Sequence, residues 1–104
     1  MKTEQMLDVI RETNLSYLML AQNMLRADRA QALYRLGINA ENARMIEMLT
    51  PGQMLRMSST PLLICRFRIE DEEIWNLLTG HLKERETRNL HANILMASNF
   101  AEAL

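Results

Sequence analysis

Cysteine is nearly absent from this chain: Cys65 is the only one among 104 residues, and histidine occurs twice. One cysteine excludes a disulfide within the chain. It also leaves no zinc-type ligand set, because His81 and His91 lie ten residues apart without a second ligand pair. Glycine is scarce too, with three residues, so no Gly-rich phosphate loop is present. Long apolar runs are missing, and the longest falls well short of a membrane span. The segment from Met1 to Met6 carries Glu4 early and lacks a compact apolar stretch, which argues against a secretory signal. A soluble cytoplasmic protein is expected. Charge of one sign is also lacking. The formal net charge is −1. Residues 1–60 hold seven Lys and Arg against six Asp and Glu, and residues 61–104 hold five against seven. A chain that grips nucleic acid alone needs a basic excess on one face. If DNA is the target, a basic partner supplies much of the backbone contact.

What is present is aliphatic. Hydrophobic residues make up 48% of the chain but aromatic ones only 5%, and nine are methionine. Methionine fills irregular cores and also builds surfaces that adapt to partners; both readings stand. The run from Asn14 to Gln22 is the most informative stretch. Leu15, Leu18, Met19, Leu20, Ala21, Met24 and Leu25 wrap most of a helix, where an amphipathic helix would show one stripe. A chain this short cannot bury such a helix alone, so the pattern predicts an obligate oligomer.

The spacing of Met6, Ile10, Tyr17, Ala21 and Leu25 predicts a first helix from an N-cap near Thr3 to Tyr34 or Arg35, with Asn14 and Ser16 marking a bend. Gly37 suits the residue after its end. Asn39 then caps a helix to about Leu49 whose apolar face holds Ala43, Ile46 and Leu49. Thr50, Pro51 and Gln53 form a capping box with proline at the first helical position, opening a helix to about Ser58. Thr60 and Pro61 stop it. Cys65, Phe67 and Ile69 alternate with Arg66 and Arg68, the period of a strand. No second strand is evident, so the same segment of a second chain, antiparallel across a two-fold axis, is the expected partner. Glu70 to Glu73 suit the start of another helix, with Ile74, Leu77 and Leu78 inward and Gly80 at its end. A last helix, about residues 83–101, places Leu90, Ile94, Ala97 and Ala101 on one face.

Candidate chemistry is thin. Cys65 has no base near it in sequence, as a nucleophile requires. It reads either as core filling or, where two strands cross, as a disulfide partner of its own copy. The carboxylates of Asp71, Glu72 and Glu73 suit a solvated helix start better than an acid–base pair. The chain is expected to be no enzyme and to need no cofactor or metal. The helix ending at Gly80, a turn and a following helix have the outline of a helix-turn-helix. His81, Lys83, Arg85, Arg88, Asn89, His91 and Asn93 supply groups that contact phosphates and bases. An ordinary helical hairpin fits as well, since Glu84 and Glu86 lie among them.

Asn14-Leu15-Ser16-Tyr17-Leu18, then Leu20-Ala21-Gln22 and Arg35-Leu36-Gly37-Ile38-Asn39, resemble the FlhD family, subunits of the flagellar master transcriptional activator. Cys65, Phe67, Arg68 and His91 extend the resemblance, while Gly80 and the acidic run 70–73 depart from it. The resemblance implies a helical homodimer that joins a zinc-binding partner, FlhC, as four copies of one to two of the other. It implies binding to promoters of flagellar operons and activation of RNA polymerase. It implies a cysteine at position 65 able to link two chains, with the metal belonging to FlhC. It points to Asp28, Tyr34 and Arg35 for partner contact and to His91 for the DNA-reading region; Arg85 and Arg88 join His91 on charge alone.

The expected architecture is therefore all-α. It is an entwined homodimer with one short intersubunit strand and a C-terminal helix-turn-helix-like pair. Residues 1–69 form the dimerisation core and residues 70–104 a helical appendage. The expected function is a DNA-binding activator subunit acting with FlhC. The alternative is a dimeric protein–protein adaptor that never touches DNA.

Overall fold

The computed structural model describes residues 1–80 and 92–97. The chain divides into two compact units, Met1–Arg66 and Phe67–Leu104.

The first unit holds four helices, α1 Thr3–Ala27, α2 Arg29–Leu36, α3 Ala40–Glu47 and α4 Pro51–Ser58. The three short helices all pack on α1. Local chemistry sets most boundaries. The Asn39 side chain accepts from the Asn42 amide at 2.8 Å to open α3. Thr50 and Gln53 exchange bonds of 3.2 and 2.9 Å to open α4, with Pro51 at its first turn, which is the reciprocal satisfaction of a capping box. Gly37 ends α2 at φ 66°, a left-handed conformation that costs a Cβ-bearing residue more than glycine.

Three expectations for this unit need correction. Thr3 is the first helical residue, not the cap; Lys2 holds that position, and its amide donates to Gln5 Oε1 at 2.9 Å. The long first helix does not run to Tyr34. It breaks at Asp28, which turns extended (φ −156°, ψ 97°) and caps α2 by accepting from the Gln31 amide at 3.2 Å. No bend interrupts the helix at Asn14 or Ser16, because the Asn14 side chain is engaged far away in sequence and does not compete for its own backbone. Residues 62–69, whose expected strand partner is the same segment of a second chain, have no regular structure in the single chain.

The core around Leu25, Ala32 and Ala43 is closed by Met24, Leu33, Leu36, Ile38 and Ile46. Ala21, Ala32 and Ala43 are fully or almost fully buried; side chains this small let the helices approach closely. Two amides on the inner face of α1 tie the short helices to it. The last carbonyls of a helix lack intrahelical donors. Gln22 Nε2 donates to Leu49 O at 2.9 Å and Ile46 O at 3.1 Å, at the end of α3. Arg26 Nη2 reaches Glu47 O at 3.2 Å, and Arg29 pairs with the Glu47 carboxylate at 2.6 Å. Asn14, wholly buried, donates to Leu62 O at 2.8 Å and Ser58 O at 3.3 Å and accepts from the Ile64 amide at 3.0 Å. It closes the end of α4 and pins the chain that follows.

In the second unit, α5 spans Glu72–Thr79. Asp71 caps it, accepting from the Glu73 amide at 2.7 Å, and Gly80 ends it. Ile74 is buried, with Leu77 and Leu78 half-buried, as the spacing predicts. Residues 92–97 are helical, with Ala92 buried. Ile94, expected on the apolar face, is 53% exposed, and Leu90 and Ala101 lie outside the described residues. So does the segment 81–91 that would complete the helix-turn-helix.

Candidate interaction surface

Helix α1 has two different apolar faces. The inner one carries Asn14, Leu18, Ala21, Gln22 and Leu25, all buried. The outer one carries Met6, Ile10, Thr13, Tyr17, Leu20 and Met24, alternately four and three residues apart. That is the heptad spacing of a two-helix seam. Val9 and Ser16 flank it. At about 100° per residue these eight side chains occupy an arc of roughly 120°. Every residue of α1 that is charged at neutral pH lies outside that arc: Glu4, Asp8, Arg11, Glu12 and Arg26 gather on the opposite side of the helix. Most of the stripe is not consumed by the chain's own core: Met6 is 43%, Val9 47% and Leu20 55% exposed, while Met24 at its end also packs against the Leu25 cluster. A solvent-facing surface would have scattered its charges over this arc. Keeping it free of them is what a helix does when another apolar surface covers it.

The sequence-predicted residues fall in several places. Cys65 is half-buried with a free thiol, one residue after Ile64, whose amide is held by Asn14. Its neighbours Leu62, Leu63 and Phe67 are exposed apolar side chains. Asp28 and Arg35 are brought together by Gln31. The Gln31 backbone amide donates to Asp28, and its side-chain oxygen accepts from Arg35 Nε at 3.2 Å. Tyr34 stands exposed on the same short helix. Arg85, Arg88 and His91 lie outside the described residues. Among the described residues no three His, Cys, Asp or Glu side chains converge as metal ligands, and no helix is long and apolar enough to cross a membrane.

Two features escaped the sequence reading. Asn14 and Gln22 are structural ties. Their eight-residue spacing on the buried face was the available signal, since buried amides need partners. The charge-free arc of α1 was also legible from residue spacing, but only once the inner face had been assigned to the core.

The chain matches the family described as "Flagellar transcriptional activator (FlhD)" over residues 1–102. The flagellar transcriptional regulator FlhD of Nitrosomonas eutropha is 50% identical to it over 104 residues, covering all of this chain and 99% of the relative. That of Acidovorax sp. (strain JS42) is 49% identical over 109 aligned positions, covering both chains completely. That of Ralstonia nicotianae is 39% identical over 104 residues, again with all of this chain and 99% of the relative. Matched end to end at this level of identity, the chain belongs to the FlhD family of flagellar transcriptional regulators.

Proposed function

We propose that this chain is the DNA-binding activator subunit of a flagellar transcription complex. It acts as a homodimer, assembled with an FlhC partner as four chains to two, at promoters of flagellar operons in the cytoplasm, where it engages RNA polymerase. The observation that carries the reading is the charge-free heptad stripe of α1 in a chain of the FlhD family. A second copy of the same stripe covers it symmetrically, as a two-fold interface requires. Residues 1–69 form the entwined core and residues 70–104 the appendage. Residues 62–69 of the two chains pair as antiparallel strands and bring the two Cys65 thiols within reach of a disulfide under oxidation; the exposed Leu62 and Leu63 support a covered segment there. Asp28, Tyr34 and Arg35 contact the partner, and Arg85, Arg88 and His91 contact DNA. The near-neutral charge fits a subunit that depends on a basic partner for phosphate contact.

A second reading, a dimeric adaptor that leaves DNA to its partner, draws support from the carboxylates at 70–73. One titration separates the two. A flagellar promoter fragment is titrated at two salt concentrations with this chain alone, with FlhC, and with FlhC plus a variant carrying Glu at 85 and 88. The activator-subunit reading expects promoter-selective binding only with FlhC, weakened by the variant and with a shallower salt slope. Unchanged binding by the variant favours the adaptor. No promoter binding by any mixture overturns the DNA role and leaves the adaptor reading.

A further inference from the structure

The second unit exposes an aromatic pair that the proposed function does not use. Phe67 and Trp75 meet with ring centroids 5.7 Å apart and planes tilted by 36°. They remain 64% and 45% exposed. Two touching aromatic side chains left this open lose the burial that normally stabilises such rings. On α5, Glu72 and the capping Asp71 lie three and four residues before Trp75, on its side of the helix. Both carboxylates are exposed. Asp71 uses one oxygen to cap Glu73, and a carboxylate keeps further acceptor capacity. Arg66, Arg68 and Glu70 are each engaged in interactions of their own.

We infer that the Phe67–Trp75 pair, with Asp71 and Glu72 one turn away, is a docking shelf for an arginine-bearing basic segment of a partner protein. A guanidinium is planar, stacks on a ring face and presents a fork of donors to a carboxylate. The shelf offers both contacts within one helical turn. Charge disfavours the two obvious competitors. A second copy laid on this shelf about a two-fold axis would set Asp71, Glu72 and Glu73 against their own counterparts, and juxtaposed like charges at an interface are unfavourable. A nucleic acid would bring phosphates to the same carboxylates. The inference does not depend on promoter binding, and either can fail without the other.

Trp75 is the only tryptophan, so its emission reports from the shelf itself. The full-length protein is titrated at low salt with a synthetic peptide of alternating arginine and glycine. The same peptide with glutamate in place of arginine, and an oligothymidine strand, serve as controls. The arginine peptide is expected to change Trp75 emission saturably, and the controls are not. The double variant Asp71→Asn, Glu72→Gln keeps a capping side chain. It is expected to raise the apparent Kd about three- to tenfold, two surface charge pairs being lost. Trp75→Leu, followed by calorimetry with helix content checked by circular dichroism, is expected to raise it about two- to fivefold. The inference is overturned if the arginine peptide leaves the emission unchanged or if the glutamate peptide acts equally. An oligothymidine that acts equally overturns it in favour of base stacking. A Kd untouched by both variants also overturns it.

Discussion

Replacing Asn14 by alanine tests the account of how this fold is tied. Asn14 is completely buried and makes two good hydrogen bonds, 2.8 Å to Leu62 O and 3.0 Å from the Ile64 amide, plus a longer one of 3.3 Å to Ser58 O. A net hydrogen bond is worth about 1 kcal/mol, and a buried group left unpaired costs about 1–3 kcal/mol. Leu62 is largely exposed, so water can reach its carbonyl and soften that loss; Ile64 is half-buried, and its amide is less easily rescued. The expected destabilisation is therefore about 2–3 kcal/mol. With a urea m-value of roughly 1–3 kcal/mol/M, the unfolding midpoint falls by about 1 M or more. Parent and variant are compared at equal chain concentration, because stability in an oligomer depends on it. Asn14→Asp sharpens the test. It keeps the acceptor for the Ile64 amide but turns a carboxylate toward two carbonyl oxygens, so it is expected to be at least as unstable as alanine at neutral pH. An unfolding free energy within about 0.5 kcal/mol of the parent for alanine, or a parent-like Asn14→Asp, refutes the reasoning.

Leu20→Glu puts a charge in the middle of the uncharged stripe of α1 and is expected to leave helix content intact while halving the mass seen in sedimentation velocity; an unchanged mass removes the stripe from the interface. Gln22→Leu deletes the donor at the end of α3 and is expected to cost about 1–3 kcal/mol in urea unfolding, with the amides of α3 losing hydrogen-exchange protection before those of α4. Gly37→Ala forces a Cβ into the left-handed region at φ 66° and is expected to cost about 1 kcal/mol by thermal unfolding; a neutral result would mean that the end of α2 relaxes without strain.

The parts of this structure legible from residue order are those made by neighbours. Asn39 opening α3, the Thr50–Gln53 box with Pro51, Gly37 ending α2 and Asp71 with Gly80 bracketing α5 all join residues a turn or less apart. Backbone groups at helix ends need partners whatever the rest of the chain does, and short side chains nearby are the cheapest source. The break at Asp28 belongs to the same class. Aspartate followed three residues later by glutamine is a start signal, overlooked because the apolar period carries on through it. FlhD membership too was carried by short motifs, 14–22 and 35–39, that survive as strings.

Tertiary structure alone decided the rest. Asn14 finds its partners 44 to 50 residues away and Gln22 finds its own 24 to 27 residues away. Local pattern therefore read Asn14 as a bend, when it is a clasp. Packing also divided the apolar girth of α1. The face with Leu18, Ala21 and Leu25 went to the chain's own core, and the charge-free face with Met6, Ile10 and Leu20 was left outward. Residues 62–69 carry the alternation of a strand yet have no ladder in a single chain, because a strand is completed by hydrogen bonds to another segment. Composition and period tell which residues avoid water; which neighbour shields them depends on where the chain folds back, and here three short helices return to only one side of α1.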